Sequence, residues 1–235
     1  NASPTSIASG ATVTFDGSSQ TIGGTSAVSY AFGTLTVAST GTVTVADRSV
    51  SPDVSASAVN VNDGKLSLAS GAAADVNGTL TLQTAADSTI ELLGTATMTI
   101  SGNFTVDTTN ASPTSIASGA TVTFDGSSQT IGGTNANPFA FGILTVASTG
   151  TVTINDRTGT DVSAAAVNVN DGKLSLASGA SIDVNGTLTV QTNADSVFEM
   201  LGTSTMSILG DLTAASGVTA PFTLTTVTFD GSSQT

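Results

Sequence analysis

Histidine, cysteine and tryptophan are absent from this chain of 235 residues, and lysine and arginine together number only four. Without histidine or cysteine there can be no His-dependent triad, no thiol nucleophile, no disulfide and no ordinary zinc site. Acids outnumber bases by 17 to 4, for a formal net charge of -13. Phosphate backbones and anionic membrane surfaces are gripped by clustered Lys and Arg, so neither nucleic acid nor a membrane surface is an expected partner. No run approaches the ~18–20 apolar residues of a membrane span, so no membrane insertion is expected within this segment. The opening NASPTSIASG has neither a basic start nor an apolar stretch, and no signal peptide is expected in it. Aromatics are scarce too: nine phenylalanines and one tyrosine leave the interior to Val, Ile, Leu and Ala. Such small branched side chains suit closely stacked strands, and the fold class they predict is all-β.

What the chain does have is repetition. The decapeptide TVTFDGSSQT occurs at residues 12–21, 121–130 and 226–235, so the period is 109 residues and then 105. This divides the chain into a first copy at 1–109, a second at 110–214 and the start of a third at 215–235. Residues 1–25 recur without change at 110–134. Differences cluster at 26–30 against 135–139, and a one-residue deletion falls near 49–53. Changes collect where backbone is least constrained, so both segments read as loops on a fixed frame.

Within each copy, apolar and polar residues alternate at 12–15, 34–37, 42–45, 66–68, 79–82 and 97–100. Period 2 is the signature of strands, and no helical period is visible. It places Val13, Phe15, Leu35, Val37, Leu66, Leu68, Leu80, Leu82, Met98 and Ile100 on one side. Thr12, Thr14, Thr34 and Thr36 fall on the other and are expected to be exposed. Gly-Thr, Ser-Gly, Asn-Asp-Gly and Asn-Gly between these runs are turn residues. Two architectures accommodate such a pattern. In a parallel β-solenoid each coil lies on the one before it. In a string of immunoglobulin-like sandwiches each unit has ~100 residues. About eleven short strands per copy, no tryptophan and no corner tyrosine favour one continuous solenoid. Coils of roughly 20–27 residues stacked at ~4.8 Å predict about ten coils and a column near 50 Å. TVTFDGSSQT closes the sequence as a plain interior repeat without a cap, which points to a longer array or to a unit that stacks end to end.

The order FDGSSQTIGG, FGTLTVASTGTVTV and LSLASGAAADVNGTLTL resembles the β-helical repeats of large bacterial surface adhesins and of autotransporter-passenger-like secreted proteins. The resemblance spans essentially the whole chain and supplies no functional residues. It implies an extracellular, cell-surface rod: a stalk, spacer or filament body whose partner is itself, end to end or within a longer array. The alternatives are a glycan-binding β-helix module, with cell-surface glycan as partner, and a polysaccharide-cleaving β-helix enzyme.

Candidate chemistry is thin. Asp47, Arg48, Asp53, Asp63 and Lys65 form the one local group of acids and bases that a polysaccharide-cleaving helix could use, and they read equally as solvated turn residues. The short connections favour the second reading, so no catalytic residue is assigned and the chain is not expected to be an enzyme. Asp16, Asp47, Asp53, Asp63, Asp75 and Asp87 stand about ten residues apart and lack the offsets of a calcium loop or β-roll, so no metal or cofactor site is assigned. Thr-x-Thr pairs start at Thr12, Thr34, Thr42, Thr79 and Thr97, too irregularly for a flat ice-binding array. Sequons at Asn1, Asn77, Asn103, Asn110 and Asn185 read as turn or ladder asparagines.

Overall fold

A computed structural model gives the structure of the protein; it describes residues 7–8, 10–83, 85–191, 193, 195–216, 218 and 222–232. Among the described residues every element is a β-strand, and every strand pairing is parallel. The protein is an all-β parallel solenoid of about nine coils. Sandwich domains are built from antiparallel strands, so the parallel register excludes them. At ~4.8 Å per coil the column is about 43 Å long, one coil shorter than the sequence suggested.

Each coil carries three strand segments, which stack into three ladders. The inward side chains of ladder I run Val13, Leu35, Val59, Leu80, Phe104, Ile131, Ile154, Leu176 and Met200. Ladder III runs Phe32, Ala56, Val76, Ile100, Phe124, Val146, Val169, Val190 and Ala214. Ladder II begins Ile22, Val45, Leu68, Leu92 and Ile116. It resumes at Phe141, Ala164, Val184, Ile208 and Phe229, and the Ala140 N–H to Thr114 Oγ1 hydrogen bond of 2.7 Å links the two halves. The step between partners ranges from 20 residues (Val54 to Ala74) to 27 (Phe104 to Ile131). Period-2 alternation therefore holds the core in line while the corners absorb the length differences.

The copies do not fall on the same ladders. From the first TVTF to the second, the chain uses five segments in ladder I (12–15, 34–37, 58–61, Leu80–Leu82, Phe104–Val106). It uses five in ladder II (19–22, 42–45, 65–68, Thr89–Leu92, Thr114–Ile116). Four more lie in ladder III (30–32, 54–56, Ala73–Val76, Thr97–Ile100). Fourteen segments are not a multiple of three. The second TVTF (Thr121–Phe124) accordingly lies in ladder III and the third (Thr226–Phe229) in ladder II. Each copy is displaced by one face relative to the copy before it.

Burial follows the alternation, with exceptions at Val13, Thr34 and Thr36; Thr34, expected on the surface, is half-buried. Leu35, Leu66 and Leu80 are buried as expected, and Thr12 and Thr14 are exposed. Val13 is half-buried in the first coil, whereas its counterpart Val122, held between Met98 and Leu144, is buried. Thr36, expected on the surface, is only 8% exposed, because it is flanked on its ladder by Thr14 and Asn60. The five Thr-x-Thr pairs scatter over all three ladders, so no face carries them as one array.

Candidate functional site

Two corner segments set each copy apart from the other, and the fold stacks them. Residues 23–29 turn from ladder II to ladder III, and residues 46–53 make the same turn one coil later. Arg48 joins them. Its side chain is 2% exposed, with Nε 3.4 Å from Asp53 Oδ1, and its Nη2 donates to the Asp53 carbonyl. Its Nη1 donates to the carbonyls of Ser26 (3.3 Å) and Val28 (3.1 Å), and the guanidinium lies 4.2 Å from the Tyr30 ring centroid. Asp53 in turn accepts the N–H of Arg48 on Oδ1 at 2.9 Å and that of Ala73 on Oδ2 at 2.8 Å. One ion pair thus binds three successive coils.

The second copy repeats the clamp on the next corner of the column. Arg157 Nη1 donates to Asn135 O (2.5 Å) and Asn137 O (3.0 Å), and its guanidinium lies 3.6 Å from the Phe139 centroid. Asp161 Oδ2 accepts the Ser181 N–H at 2.7 Å. Burial pushes Asp161 up from the ordinary carboxylate value, against the backbone donors and the Arg157 charge. Burial likewise lowers Arg157, against the Asp161 charge. Nε lies 3.5 Å from Oδ1, and Asp161 Oδ1 accepts no hydrogen bond.

These positions correct the reading of the acid–base group. Arg48 and Asp53 are not solvated turn residues: their side chains are 2% and 1% exposed because their partners come from neighbouring coils. Lys65 is not with them. It opens the ladder II segment 65–68, one coil on from the segment that Arg48's loop leaves, paired in register with Thr42, and its Nζ lies 2.8 Å from Glu91 Oε1 on the next coil. Burial raises Glu91, but hydrogen bonds from Lys65 and Ser67 and the Lys65 charge outweigh it and hold the carboxyl below its ordinary 4.5. Lys173 and Glu199 form the same pair at 3.2 Å. All four basic residues of the chain are thereby spent on carboxylates.

Of the remaining acids, Asp47 lies against Gly71, where an added Cβ would meet its Oδ2 at 2.7 Å. Asp63 and Asp87 share a hydrogen bond between coils, which raises Asp63 and lowers Asp87. No group of three or more acids that could hold a metal ion comes together among the described residues. The sequon residues Asn103 and Asn110 are tied into the column, accepting from Thr130 N–H at 2.9 Å and donating to Thr89 Oγ1 at 2.8 Å. Asn1 lies outside the described residues.

Beside each clamp runs a shallow polar groove. In the first copy it crosses ladder III, with Asp75, Thr97, Thr99 and Asp125 along the floor and Ser51 and Pro52 as a lip, enclosing about 280 Å³. In the second it crosses ladder II, with Asp183, Thr205, Ser207 and Asp230 on the floor and Thr160 as the lip, enclosing about 300 Å³. The two floors correspond position by position in the repeat. Burial and the charge of Asp125 push Asp75 up.

The chain matches no protein-family model, no curated protein and no solved structure. Sequence reasoning located both variable segments as loops but missed that they meet. The signal was present: the same Asp-Arg dipeptide and the same downstream Asp flank the changed residues in both copies, at 47–48 and 53, and at 156–157 and 161.

Proposed function

We propose that this chain is a length of structural column: the stalk, spacer or filament body of an extracellular, surface-attached bacterial protein of the adhesin type, and not an enzyme. The observation that carries this reading is the unbroken core. Three lines of apolar side chains pass through every coil, and the residues that interrupt the alternation are used to pin one coil to the next rather than to open a cleft. Ladders of parallel strands resist bending and lengthen in proportion to the number of coils, which is what a spacer requires. The net charge of -13 keeps a Ser- and Thr-rich surface soluble outside the cell. The repetitive β-helical resemblance of the sequence supports the surface placement.

Electron microscopy of chains carrying two, four and six copies of the repeat tests the proposal. Straight rods that lengthen by about 22 Å per copy are expected, from 4⅔ coils at ~4.8 Å. Discrete beads or a compact globule would rule the column out.

A further inference from the structure

The two grooves are the same construction on two faces, and each combines a constant part with a variable one. Four polar positions of the floor keep their chemistry between copies, while Ala73 and Ala74 beside them become Ser181 and Ile182: Asp75 becomes Asp183, Thr97 becomes Thr205, Thr99 becomes Ser207 and Asp125 becomes Asp230. The lip does not, because Ser51 and Pro52 belong to the segment in which the copies differ residue after residue. Over residues 1–72, other changes are confined to the 26–30 loop and to Thr34, Val45, Ala46 and Ser57. Both variable loops hang from the same buried Arg–Asp clamp. A rigid floor with an exchangeable rim is how a scaffold holds the class of its ligand while varying which member is preferred.

The chemistry of the floor limits the ligand. Threonine and serine hydroxyls donate and accept, and carboxylates accept. Some of that capacity is already used inside the groove, where Ser101 donates to Asp125 at 2.8 Å and Ser207 to Asp230 at 2.9 Å. No cation lines either groove, since all four basic residues are held by carboxylates elsewhere. Sulfate, phosphate and uronate groups would meet only negative charge. At about 280–300 Å³ each groove stands at the lower end of the ~300–1,000 Å³ range of small-molecule sites and is lined from successive coils. We propose that each groove is a binding site for a neutral, hydroxyl-rich polysaccharide strand, with the loop at 49–52 or 158–160 selecting among sugars. One site falls in every copy. Successive sites stand about 22 Å apart along the axis and one face apart around it, so a single column engages several strands pointing in different directions. This goes beyond the column reading and does not depend on it.

The test is affinity electrophoresis and titration calorimetry of the whole chain against dextran, galactomannan and xyloglucan, with polygalacturonate and calcium chloride as the contrasting probes. At least one neutral polysaccharide should retard the protein, at two sites per chain. Thr99→Val and Ser207→Ala should each weaken binding at its own groove tenfold or more, so that either change alone leaves one site of parental affinity and the pair leaves none. Circular dichroism melts verify that each variant keeps its fold. The exposed pair Thr12→Val and Thr40→Val, away from both grooves, serves as a control that should bind as the parent does. Failure of all three neutral polysaccharides to bind overturns the proposal. So does binding that the floor variants leave unchanged, a preference for polygalacturonate, or a response to calcium alone.

Discussion

Arg48 carries a full charge inside the column, and the cost of desolvating it is met only because Asp53, three carbonyls and the Tyr30 ring surround it. Removing the carboxylate while leaving the guanidinium is therefore severe: Asp53→Ala should cost about 3–5 kcal/mol in a urea melt. Lys65→Met should cost about 1 kcal/mol or less, since Lys65 is 36% exposed and its ion pair is screened. Its effect should instead appear in the pH profile. The folded value of Glu91 is lowered, so the stability it adds is complete above its ordinary 4.5 and is lost as pH falls through the lower folded value. Acid titration of the melting temperature should show that loss in the parent chain and a smaller one in Lys65→Met; identical profiles would discount the pair. The alternation of residues 65–68 was enough to read Leu66 and Leu68 as buried. The clamp was not legible in this way, because Arg48's partners at 26 and 28 and Asp53's partner at 73 lie a coil away and only the register brings them near.

Strands and corners divide the work differently. Along a strand the core tolerates exchange among apolar residues, as Ile90 and Leu92 become Phe198 and Met200 between copies. It does not tolerate charge. Leu80 is 1% exposed between Val59 and Phe104, and Leu80→Asp should cost several kcal/mol, on the order of burying an unpaired carboxylate. A thermal melt unchanged from the parent would refute an interior position. At corners the limit is space. A Cβ on Gly41 would stand 1.8 Å from the Ser18 carbonyl oxygen of the coil below, and Gly64 has φ +69° with Ser39 O at 2.2 Å. Gly41→Ala should cost about 1–3 kcal/mol through a forced backbone shift, read as a lower urea midpoint. Period 2 made the strands at 79–82 and 97–100 plain. It did not reveal Ala73–Val76, whose Asp75 and small alanines blur the pattern, nor that the runs at 34–37 and 42–45 belong to one strand, Tyr30–Val45, whose register shifts on either side of Ala38. The number of faces was also hidden, because uneven corner lengths conceal a three-strand coil inside a 109-residue repeat.

Taken whole, the molecule combines two rhythms that do not coincide: three segments per coil and fourteen per copy. An array of further copies would return to its starting face only after three of them, or fourteen coils. Averaged images of a six-copy column should therefore repeat at about 67 Å and not at about 22 Å. A repeat at the shorter spacing would mean that each copy occupies a whole number of coils. Near-identical β-rich sequences in tandem are ordinarily a hazard, because matching stripes on neighbouring molecules can zip together into sheets. Here a stripe that begins on one side of the column reappears on another side one copy later. Two columns lying side by side find no continuous matching edge, so lateral aggregation meets an interruption at every copy while growth along the axis does not.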